Sequence, residues 1–327
     1  MDNTTVNNST VSVSSPLVLA AAARKWTPSL IGQGVILALS LFSNIIVFIE
    51  FIRIPSRVTP FTVYLLVLLG TNVAFLCIVP LTEMLNELYG QWWMGRAWCD
   101  VHNYFNNVVS GAQICVHMTI SINRLWAVHH PISYRNKHNK TVALLTCLVA
   151  IAFANIVGLP GVILDVLYYS IDLKYGCHIN YTAQAAWGKA QQALLHLFPW
   201  AVIIVSYVHL CINRVNRRRR TQDQMSHDSQ KAAIVSTTPE HRPVVLRQNE
   251  AVKPFLVLSL TAISVTICWT PAIIYFAAII FFGLWMPATF FIAAVTFYSM
   301  QALFDPWLFA LGLFAVKKNW RFLHCCN

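Results

Sequence analysis

Charge is what this sequence has least of. Asp, Glu, Lys and Arg make up only 11% of its 327 residues, whereas hydrophobic residues make up 57%. A water-soluble chain with so little charge would expose large apolar patches and aggregate. The composition therefore argues against a soluble protein and favours one that lies within a lipid bilayer.

Six long stretches contain no Asp, Glu, Lys or Arg at all. Five of them are 23 to 25 residues long, and the sixth has 51 residues. The stretches are 26–49, 58–82, 101–123, 141–164, 190–213 and 254–304. A bilayer core needs about 20 apolar residues of helix, and only helices satisfy their own backbone in lipid. The sixth stretch therefore predicts two spans joined by a turn at 283–287, which gives an all-α bundle of seven membrane helices.

The basic residues divide unequally between the two sides of such a bundle. With the N-terminus outside, eighteen Lys and Arg residues fall on the internal side and five on the external side. Cytoplasmic loops collect basic residues, so we expect a plasma-membrane protein with an external N-terminus and a cytoplasmic C-terminus. Although the net charge is +11, the lipid-length segments that interrupt the basic residues argue against nucleic-acid binding.

The remaining segments are polar. Residues 1–25 are rich in Ser, Thr and Asn and predict a disordered extracellular tail. The spans occupy 26–314, with a long cytoplasmic loop at about 214–250. Residues 315–327 predict a short amphipathic eighth helix on the inner leaflet, followed by a short tail. Four glycosylation acceptors fall on the external side, at Asn3, Asn7, Asn8 and Asn180.

Only two of the nine cysteines, Cys99 and Cys177, lie on the external, oxidising side, so we expect them to form a disulfide. Cys325 and Cys326 end the chain beside basic residues on the internal side. Palmitoylation of this pair and a pair of free thiols both remain open.

Polar side chains recur in the third span at steps of three and four residues, which places them along a helix face. They are Asn103, Asn106, Asn107, Ser110, Gln113, His117, Ser121 and Arg124. Such a face cannot lie against lipid, so we expect this helix at the centre of the bundle. The polar groups could serve as hydrogen bonds between helices, or as a ligand site in the outer half and a switch in the inner half.

The seventh span carries Tyr298, Gln301 and Asp305 in the same way. A lone buried carboxylate needs a partner, a cation or a proton. Asn44 and Asn72 lie at a similar depth in the first two spans, so we expect them to be its partners.

The sequence contains no enzyme signature, because His-Glu-x-x-His, Gly-x-Ser-x-Gly and a phosphate-binding loop are all missing from it. His129 and His130 are adjacent and do not share a helical face, which argues against a metal site there. We therefore expect neither an enzyme nor a cofactor-binding protein.

Several residue patterns together resemble the rhodopsin-like (class A) family of G-protein-coupled receptors, over roughly residues 28–324. The first-span Asn44 fits the family, and Cys99 precedes Arg124 by the family's 25 residues. The sequence Cys268-Trp269-Thr270-Pro271 matches the sixth-span Cys-Trp-x-Pro. The other matches are Arg124 to Pro131 leading into the second internal loop, Pro199 with Tyr207 in the fifth span, and Asp305-Pro306 with Phe309 for Asn-Pro-x-x-Tyr.

The resemblance implies a seven-helix receptor that binds an extracellular ligand and activates a heterotrimeric G protein. It also implies arrestin as a partner, which the short C-terminal tail leaves open. The expected switch and coupling residues are Asn123, Arg124, Tyr207, Trp269, Pro271, Asp305, Pro306 and Phe309. Prolines within helices permit kinks, which would let the sixth membrane span pivot near Trp269.

The chain departs from the family pattern in the switch region. Asn123 and Leu125 replace the Asp and Tyr that flank the arginine, so Arg124 lacks its neighbouring carboxylate. The family's second-span aspartate and seventh-span asparagine are exchanged here, as Asn72 and Asp305. Gln113 crowds this site, which argues against a sodium ion. We expect the weaker restraint on Arg124 to allow signalling without ligand.

The ligand class follows from the outer residues. Asn106 stands where the family's amine receptors have an aspartate, and Ser299 stands at the position of the opsin lysine, which argues against amines and retinal. Trp92 to Gly95 resembles a loop of the family's peptide receptors. The external acids outnumber nearby bases, which favours a cationic or amidated neuropeptide; they are Glu83, Glu87, Asp100, Asp165 and Asp172. The expected ligand-binding residues are Glu83, Asn103, Asn106, Asn107, Ser110, Trp269 and Ser299.

Two other functions remain open at this point. A decoy receptor that does not signal would also explain the altered motifs. A transporter or channel would need a charged path and usually paired repeats, and no repeat is visible in the sequence.

Overall fold

A computed structural model describes residues 26–53, 58–234 and 252–323, and these are helical apart from short connections. Helix α1 is Pro28–Arg53 and helix α2 is Pro60–Tyr89. Helices α3, α5 and α6 each contain a π turn and are therefore given by their consecutive segments. Helix α3 joins Arg96–Tyr104, Phe105–Val109 and Ser110–His129, and a short helix α4, Pro131–Lys137, follows it. Helix α5 joins Lys140–Leu164 and Asp165–Tyr169, and helix α6 joins Ala185–Gln191, Gln192–Leu197 and Phe198–Ile234. The last two are α7, Val252–Phe282, and α8, Ala288–Leu323.

Seven of these eight helices are long, and they correspond to the seven predicted spans. In the described part of the chain, five of them are long and apolar enough to cross a membrane by composition alone; they are Pro28–Arg53, Pro60–Tyr89, Lys140–Tyr169, Ala185–Arg217 and Leu260–Phe282. The other two, α3 and α8, carry the polar side chains noted above. The predicted turn between the last two spans is confirmed, because α7 ends at Phe282 and α8 begins at Ala288.

The outer surface of the bundle is apolar. Large aliphatic and aromatic side chains there remain more than half exposed, among them Phe42, Val149, Ile156 and Val205. Exposing such a belt to water would be unfavourable, whereas lipid tails solvate it. The buried polar residues, by contrast, lie between the helices.

Two boundaries differ from the sequence prediction. Helix α6 continues to Ile234, so the predicted loop at about 214–250 is wrong for 214–234. This segment contains neither Pro nor Gly and is rich in Arg, Gln and Ala, which propagate a helix. Residues 315–323 are helical as expected, but they form the last turns of α8 instead of a separate helix.

The outer ends of the helices are tied together around α3. The predicted disulfide between Cys99 and Cys177 is confirmed, with a Cα–Cα distance of 5.6 Å, and it fixes the loop before α6 to the start of α3. Arg96, also near the start of α3, pairs with Asp100 (3.1 Å) and Asp165 (3.6 Å). It also donates a hydrogen bond to the carbonyl oxygen of Ile171 at 3.0 Å.

Helices α5 and α6 approach each other closely where the indole of Trp187 lies on Gly161. The ring donates a hydrogen bond from Nε1 to the carbonyl oxygen of Val157 at 3.0 Å, which fixes its position. A Cβ atom at Gly161 would overlap the ring, whereas one at Gly32 on α1 would meet nothing within 4 Å.

We therefore expect Gly161→Ala to destabilise the fold by about 1–3 kcal/mol, because the indole or its helix must move. The measurement is the melting temperature of the purified protein in lipid nanodiscs. Gly32→Ala is the matched control and should leave the melting temperature unchanged or slightly raised, since alanine favours a helix over glycine. Equal melting temperatures for the two variants would contradict the described contact.

Candidate functional site

A cavity of about 360 Å³ opens at the outer end of the bundle, beneath the loop that the disulfide holds. Helices α1, α2, α3 and α8 form its walls. Its lining residues are Gln33, Glu83, Asn86, Glu87, Trp92, His102, Gly176, Cys177, His178, Phe291, Ile292 and Val295. The cavity therefore combines polar groups from α2 with aromatic and aliphatic groups from α8, which is typical of a ligand site.

The acidic side chains of this cavity are Glu83 and Glu87, and among the described residues no Lys or Arg lines it. The other external acids counted in the sequence have partners of their own. Asp100 and Asp165 pair with Arg96. Asp172 pairs with Lys174 at 3.0 Å, and hydrogen bonds from that lysine lower the pKa of the Asp172 carboxyl. The negative charge that a ligand would meet is thus concentrated at α2.

Two of the seven predicted ligand-binding residues lie at cavities on this side. Glu83 lines the main cavity, and Ser299 lines a smaller adjoining one together with Glu83. Trp269 lies deeper, 3% exposed, with its ring 4.6 Å from that of Tyr298. The role of these side chains in binding stays a prediction.

The four remaining ligand predictions, all on α3, make hydrogen bonds within the protein. Asn103 donates to Cys99 Sγ at 3.6 Å, and Asn107 donates to the carbonyl oxygen of Asn103 at 2.8 Å. The Oδ1 atom of Asn107 accepts from Gln191 at 3.1 Å and from the hydroxyl of Tyr181. Ser110 bonds the carbonyl oxygen of Asn106. The side chain of Asn107 therefore joins α3 to α6 and its preceding loop.

A π turn at Phe105–Val109 separates the outer and inner halves of the polar face on α3. One extra residue in a turn rotates everything on one side of it relative to the other. Asn107, which lies within this turn, faces α6, whereas Gln113 faces α2 and α8. The polar face is buried as predicted, but its two halves contact different neighbours.

Sequence reasoning missed several lining residues of the cavity. His102 is one turn after Cys99 on α3, so the same helical periodicity that selected Asn103 could have indicated it. Asn86 lies three residues after Glu83 and on the same face of α2. His178 and Phe291 carry no comparable signal, because their positions depend on how a loop and a distant helix fold back.

The core below the cavity contains a chain of hydrogen bonds that ends at Asp305. Tyr298 donates to Gln113 Oε1 (2.8 Å), and Gln113 donates to Asn72 Oδ1 (2.8 Å). Asn72 donates in turn to Asp305 Oδ2 (3.1 Å) and to Asn44 Oδ1 (3.3 Å). The expected pairing of Asp305 with Asn72 is confirmed, whereas Asn44 reaches the carboxylate only through Asn72.

Two further residues complete the surroundings of Asp305, which has no exposed surface. Gln301 donates to Asp305 Oδ1 at 2.6 Å, and the hydroxyl of Ser264 on α7 bonds Gln301 Oε1 at 3.1 Å. His117 on α3 places Nε2 at 3.4 Å from Asp305 Oδ2. One carboxylate therefore connects five of the seven long helices, directly or through one amide.

The inner end of α3 presents the arginine of the switch region. The guanidinium of Arg124 lies over the ring of Phe61, with Cζ 3.5 Å from the ring centroid. Asn123 donates a hydrogen bond to the hydroxyl of Tyr134 on α4 at 3.4 Å. Within the described residues no carboxylate lies within ion-pair distance of Arg124. A cation–π contact thus stands where the family has a carboxylate.

The other residues predicted for the switch lie on helices α6, α7 and α8. Pro271 and Pro306 lie within helices α7 and α8, as expected, and Tyr207 is half-buried on α6. Phe309 is buried among apolar side chains of α2 and α3, including Leu68 and Val116. A tyrosine hydroxyl would find no water among these groups, which gives a physical reason for phenylalanine here.

Of the predicted modification sites, only Asn180 lies in the described part of the chain. It lies in the loop before α6, where its Oδ1 accepts a hydrogen bond from Thr182 at 2.8 Å. Asn3, Asn7, Asn8, Cys325 and Cys326 lie outside the described residues. Modification of all six stays a prediction.

Comparison with known proteins places this geometry in a family. Residues 43–309 match the profile of the 7 transmembrane receptor (rhodopsin family). The chain is 26% identical over 180 residues to the mouse (Mus musculus) type-1 angiotensin II receptor B, covering 53% of this chain and 50% of the relative. It is 25% identical over 180 residues to the chicken (Gallus gallus) type-1 angiotensin II receptor, with the same coverage.

A relative of another kind is the guinea-pig (Cavia porcellus) alpha-2B adrenergic receptor, which is 24% identical over 184 residues, or 55% of this chain and 40% of the relative. The matched region spans about half the length of the angiotensin receptors. The family profile, however, covers the helices from Ser43 of α1 to Phe309 of α8. The chain therefore belongs to the rhodopsin family of seven-transmembrane receptors.

Proposed function

We propose that this protein is a plasma-membrane receptor that binds a basic or amidated peptide in its outer cavity and activates a heterotrimeric G protein. The N-terminus would be outside the cell and the C-terminus in the cytoplasm. The observation that carries the proposal is the outer cavity, which is lined by two glutamates of α2 and by Val295 of α8, about one turn before the hydrogen-bonded Tyr298.

The chemistry of the cavity favours a cationic ligand. Glu83 and Glu87 lie one helical turn apart on α2, with the amide of Asn86 beside them. Carboxylates bind ammonium and guanidinium groups through charge-assisted hydrogen bonds. Trp92 and Phe291 line the same cavity and offer aromatic surface for a cation or an apolar side chain.

A peptide is favoured over a small amine for two reasons. Asn106, which stands where the family's amine receptors have an aspartate, is half-buried on α3 and does not line the cavity. The cavity also reaches up to Gly176 and His178 in the loop held by the disulfide, so a long ligand could contact helices and loop together. The names of the mouse and chicken relatives, receptors for angiotensin II, agree with this choice.

A path for the signal runs inward from the cavity along α8. Val295 lines the cavity, and Tyr298 lies about one turn further in. Tyr298 contacts the ring of Trp269 on α7 and donates to Gln113 on α3. A ligand that shifts α8 relative to α2 would thereby change the packing of three helices. It would bias the bundle towards an arrangement that differs from the packed one seen here.

The two alternative functions make different predictions. A decoy receptor is favoured by one observation, the missing carboxylate beside Arg124, and would bind ligand without activating any G protein. A transporter or channel would pass ions or solute in the absence of G protein. Binding, G-protein activation and ion flux, measured on the same preparation, separate the three.

The cavity acids provide the first test. We expect Glu83→Gln together with Glu87→Gln to weaken the potency of a basic amidated peptide about tenfold or more, since each substitution removes a charge-assisted interaction. The measurement is G-protein activation by the most potent member of a library that contains basic, acidic and neutral peptides as well as amines.

Asp172→Asn is the matched control, because Asp172 is an external acid that pairs with Lys174 and does not line the cavity. The potency of the peptide at this variant should stay within about twofold of the wild-type value, because a surface ion pair contributes little. A potent ligand from the acidic or neutral part of the library, unaffected by the double substitution, would refute the proposed ligand class.

The switch region provides a second test. We expect Asn123→Asp to lower ligand-independent G-protein activation about fivefold, because a carboxylate beside Arg124 would add about 1 kcal/mol of attraction to the resting arrangement. The side chain is 4% exposed and already contacts Tyr134, so the substitution fits the available space.

Asn136→Asp is the control for net charge, because Asn136 is an exposed residue of α4 on the same side of the membrane. It should leave basal activation unchanged. If wild-type protein at the cell surface is silent without ligand, or if both variants behave alike, the weakened restraint on Arg124 is not the cause of basal activity.

A further inference from the structure

The carboxylate of Asp305 has one neighbour that can carry a positive charge. That neighbour is His117, whose side chain is 3% exposed and whose Nε2 lies 3.4 Å from Asp305 Oδ2. Both groups are shut off from solvent inside the bundle. A buried charge without a compensating charge is strongly unfavourable, so the protonation of this pair decides the stability of the core.

The groups that face the pair come from every helix packed around it. Helix α1 contributes Asn44 and α2 contributes Asn72. Helix α3 adds Gln113, α7 adds Ser264 and the thiol of Cys268, and α8 adds Tyr298 and Gln301. All of these are neutral, and in the described part of the chain no Lys or Arg contacts Asp305. Glu83, another acid of α2, lies about 16 Å further along that helix.

Each hydrogen bond in this series has a fixed donor and acceptor, because the series starts at backbone carbonyl groups. Asn44 Nδ2 contacts the carbonyl oxygens of Ser40 (2.8 Å) and Ala302 (2.6 Å), which can only accept. The amide nitrogen of Asn44 must therefore lie on that side, and its Oδ1 must accept from Asn72. This assignment fixes the orientation of an amide that ordinary electron density would leave ambiguous.

The same logic extends to the carboxylate. Since Asn72 presents its NH₂ group to Asn44, the same group donates to Asp305 Oδ2. Asn72 Oδ1 then accepts from Gln113, whose Oε1 accepts from the hydroxyl of Tyr298. Asp305 Oδ2 therefore serves as an acceptor, and Oδ1 accepts from Gln301 at 2.6 Å. Both oxygens thus accept, as in an ionised carboxylate.

An ionised Asp305 needs a positive charge, and within the described residues only the imidazole of His117 lies beside it. We propose that His117 holds a proton against Asp305 as the resident cation of the receptor core. The proton links α3 to α8 and takes the place of a cation from solution. Stability from this pair is present while His117 is protonated and is lost as the pH rises and the proton leaves.

The proposal has a signalling consequence that rests on the proposed function. Helices α3 and α8 carry the two members of the pair, so separating them would expose two charges to a low-dielectric core. The paired state thus favours the packed arrangement seen here. The physical claim about the proton needs no G protein, and the experiment below measures it on the receptor alone.

The test is a double-mutant cycle in lipid nanodiscs, with His117→Leu, Asp305→Asn and the double variant. Melting temperatures are measured in sodium chloride and in choline chloride at equal ionic strength. His117→Leu leaves Asp305 without its cation, and we expect a fall on the order of 5 °C in choline chloride. Sodium should reverse much of that fall, because a small cation can occupy the vacated position. The double variant, with a neutral core, should regain most of the wild-type melting temperature.

Wild-type protein should melt at the same temperature in both salts. A sodium-specific rise in the wild type as large as that in His117→Leu would overturn the proposal, because the cation would then come from solution. An additive cycle, in which the double variant loses the sum of the single losses, would also overturn it.

A second measurement covers the case in which His117→Leu does not fold. Between about pH 5.5 and about pH 8.5 the melting temperature of the wild type should fall, and Asp305→Asn should remove that part of the slope. His196→Gln is the matched control, since His196 is a half-buried imidazole that packs on Trp269 away from Asp305. It should keep the wild-type slope. If the slope persists in Asp305→Asn, the pair does not hold the proton.

Discussion

The structure depends on one constraint, which is that a polar group inside a bilayer must find its partner inside the protein. Asp305 is the strongest instance, because it is a carboxylate with no exposed surface. Its partners come from α2, α3 and α8, and α1 and α7 join through single amides. The positions of five helices are thereby tied to the needs of one side chain. Apolar contacts fill the space around this arrangement, but they would tolerate other packings more readily than hydrogen bonds do.

Much of the fold could be predicted from the sequence, because lipid imposes a simple rule on composition. Charge-free stretches of membrane length predicted the seven helices, and cysteine location predicted the disulfide. Of the two predicted partners of Asp305, Asn72 is confirmed, whereas Asn44 contacts Asn72 instead of the carboxylate. Periodicity along α3 correctly indicated a buried helix. These successes share a cause, which is that burial of a polar or charged residue in lipid admits few solutions.

The rest depended on information that is not local in the sequence. A π turn leaves no clear compositional signal, so the shift in helical register around Asn107, and with it the identity of its neighbours on α6, could not be predicted. The continuation of α6 to Ile234 was missed because a polar composition was taken to mean a loop, although Arg and Gln are good helix formers. The outer cavity combines a loop with four helices, and Glu83 is its only lining residue that was predicted to bind ligand. The number of acids available to a ligand was overestimated. Three of them pair with Arg96 or Lys174, and such pairing depends on three-dimensional position.

The π turn in α3 also has a consequence for how such a protein can change over evolutionary time. Within it, Asn107 meets α6 and the loop before α6; downstream of it, Gln113 and His117 meet α2 and α8. Substitutions that retune recognition on the outer segment therefore leave the inner segment's neighbours untouched. A single helix thus presents two segments with largely separate contacts, so a substitution on one segment needs no matching change on the other.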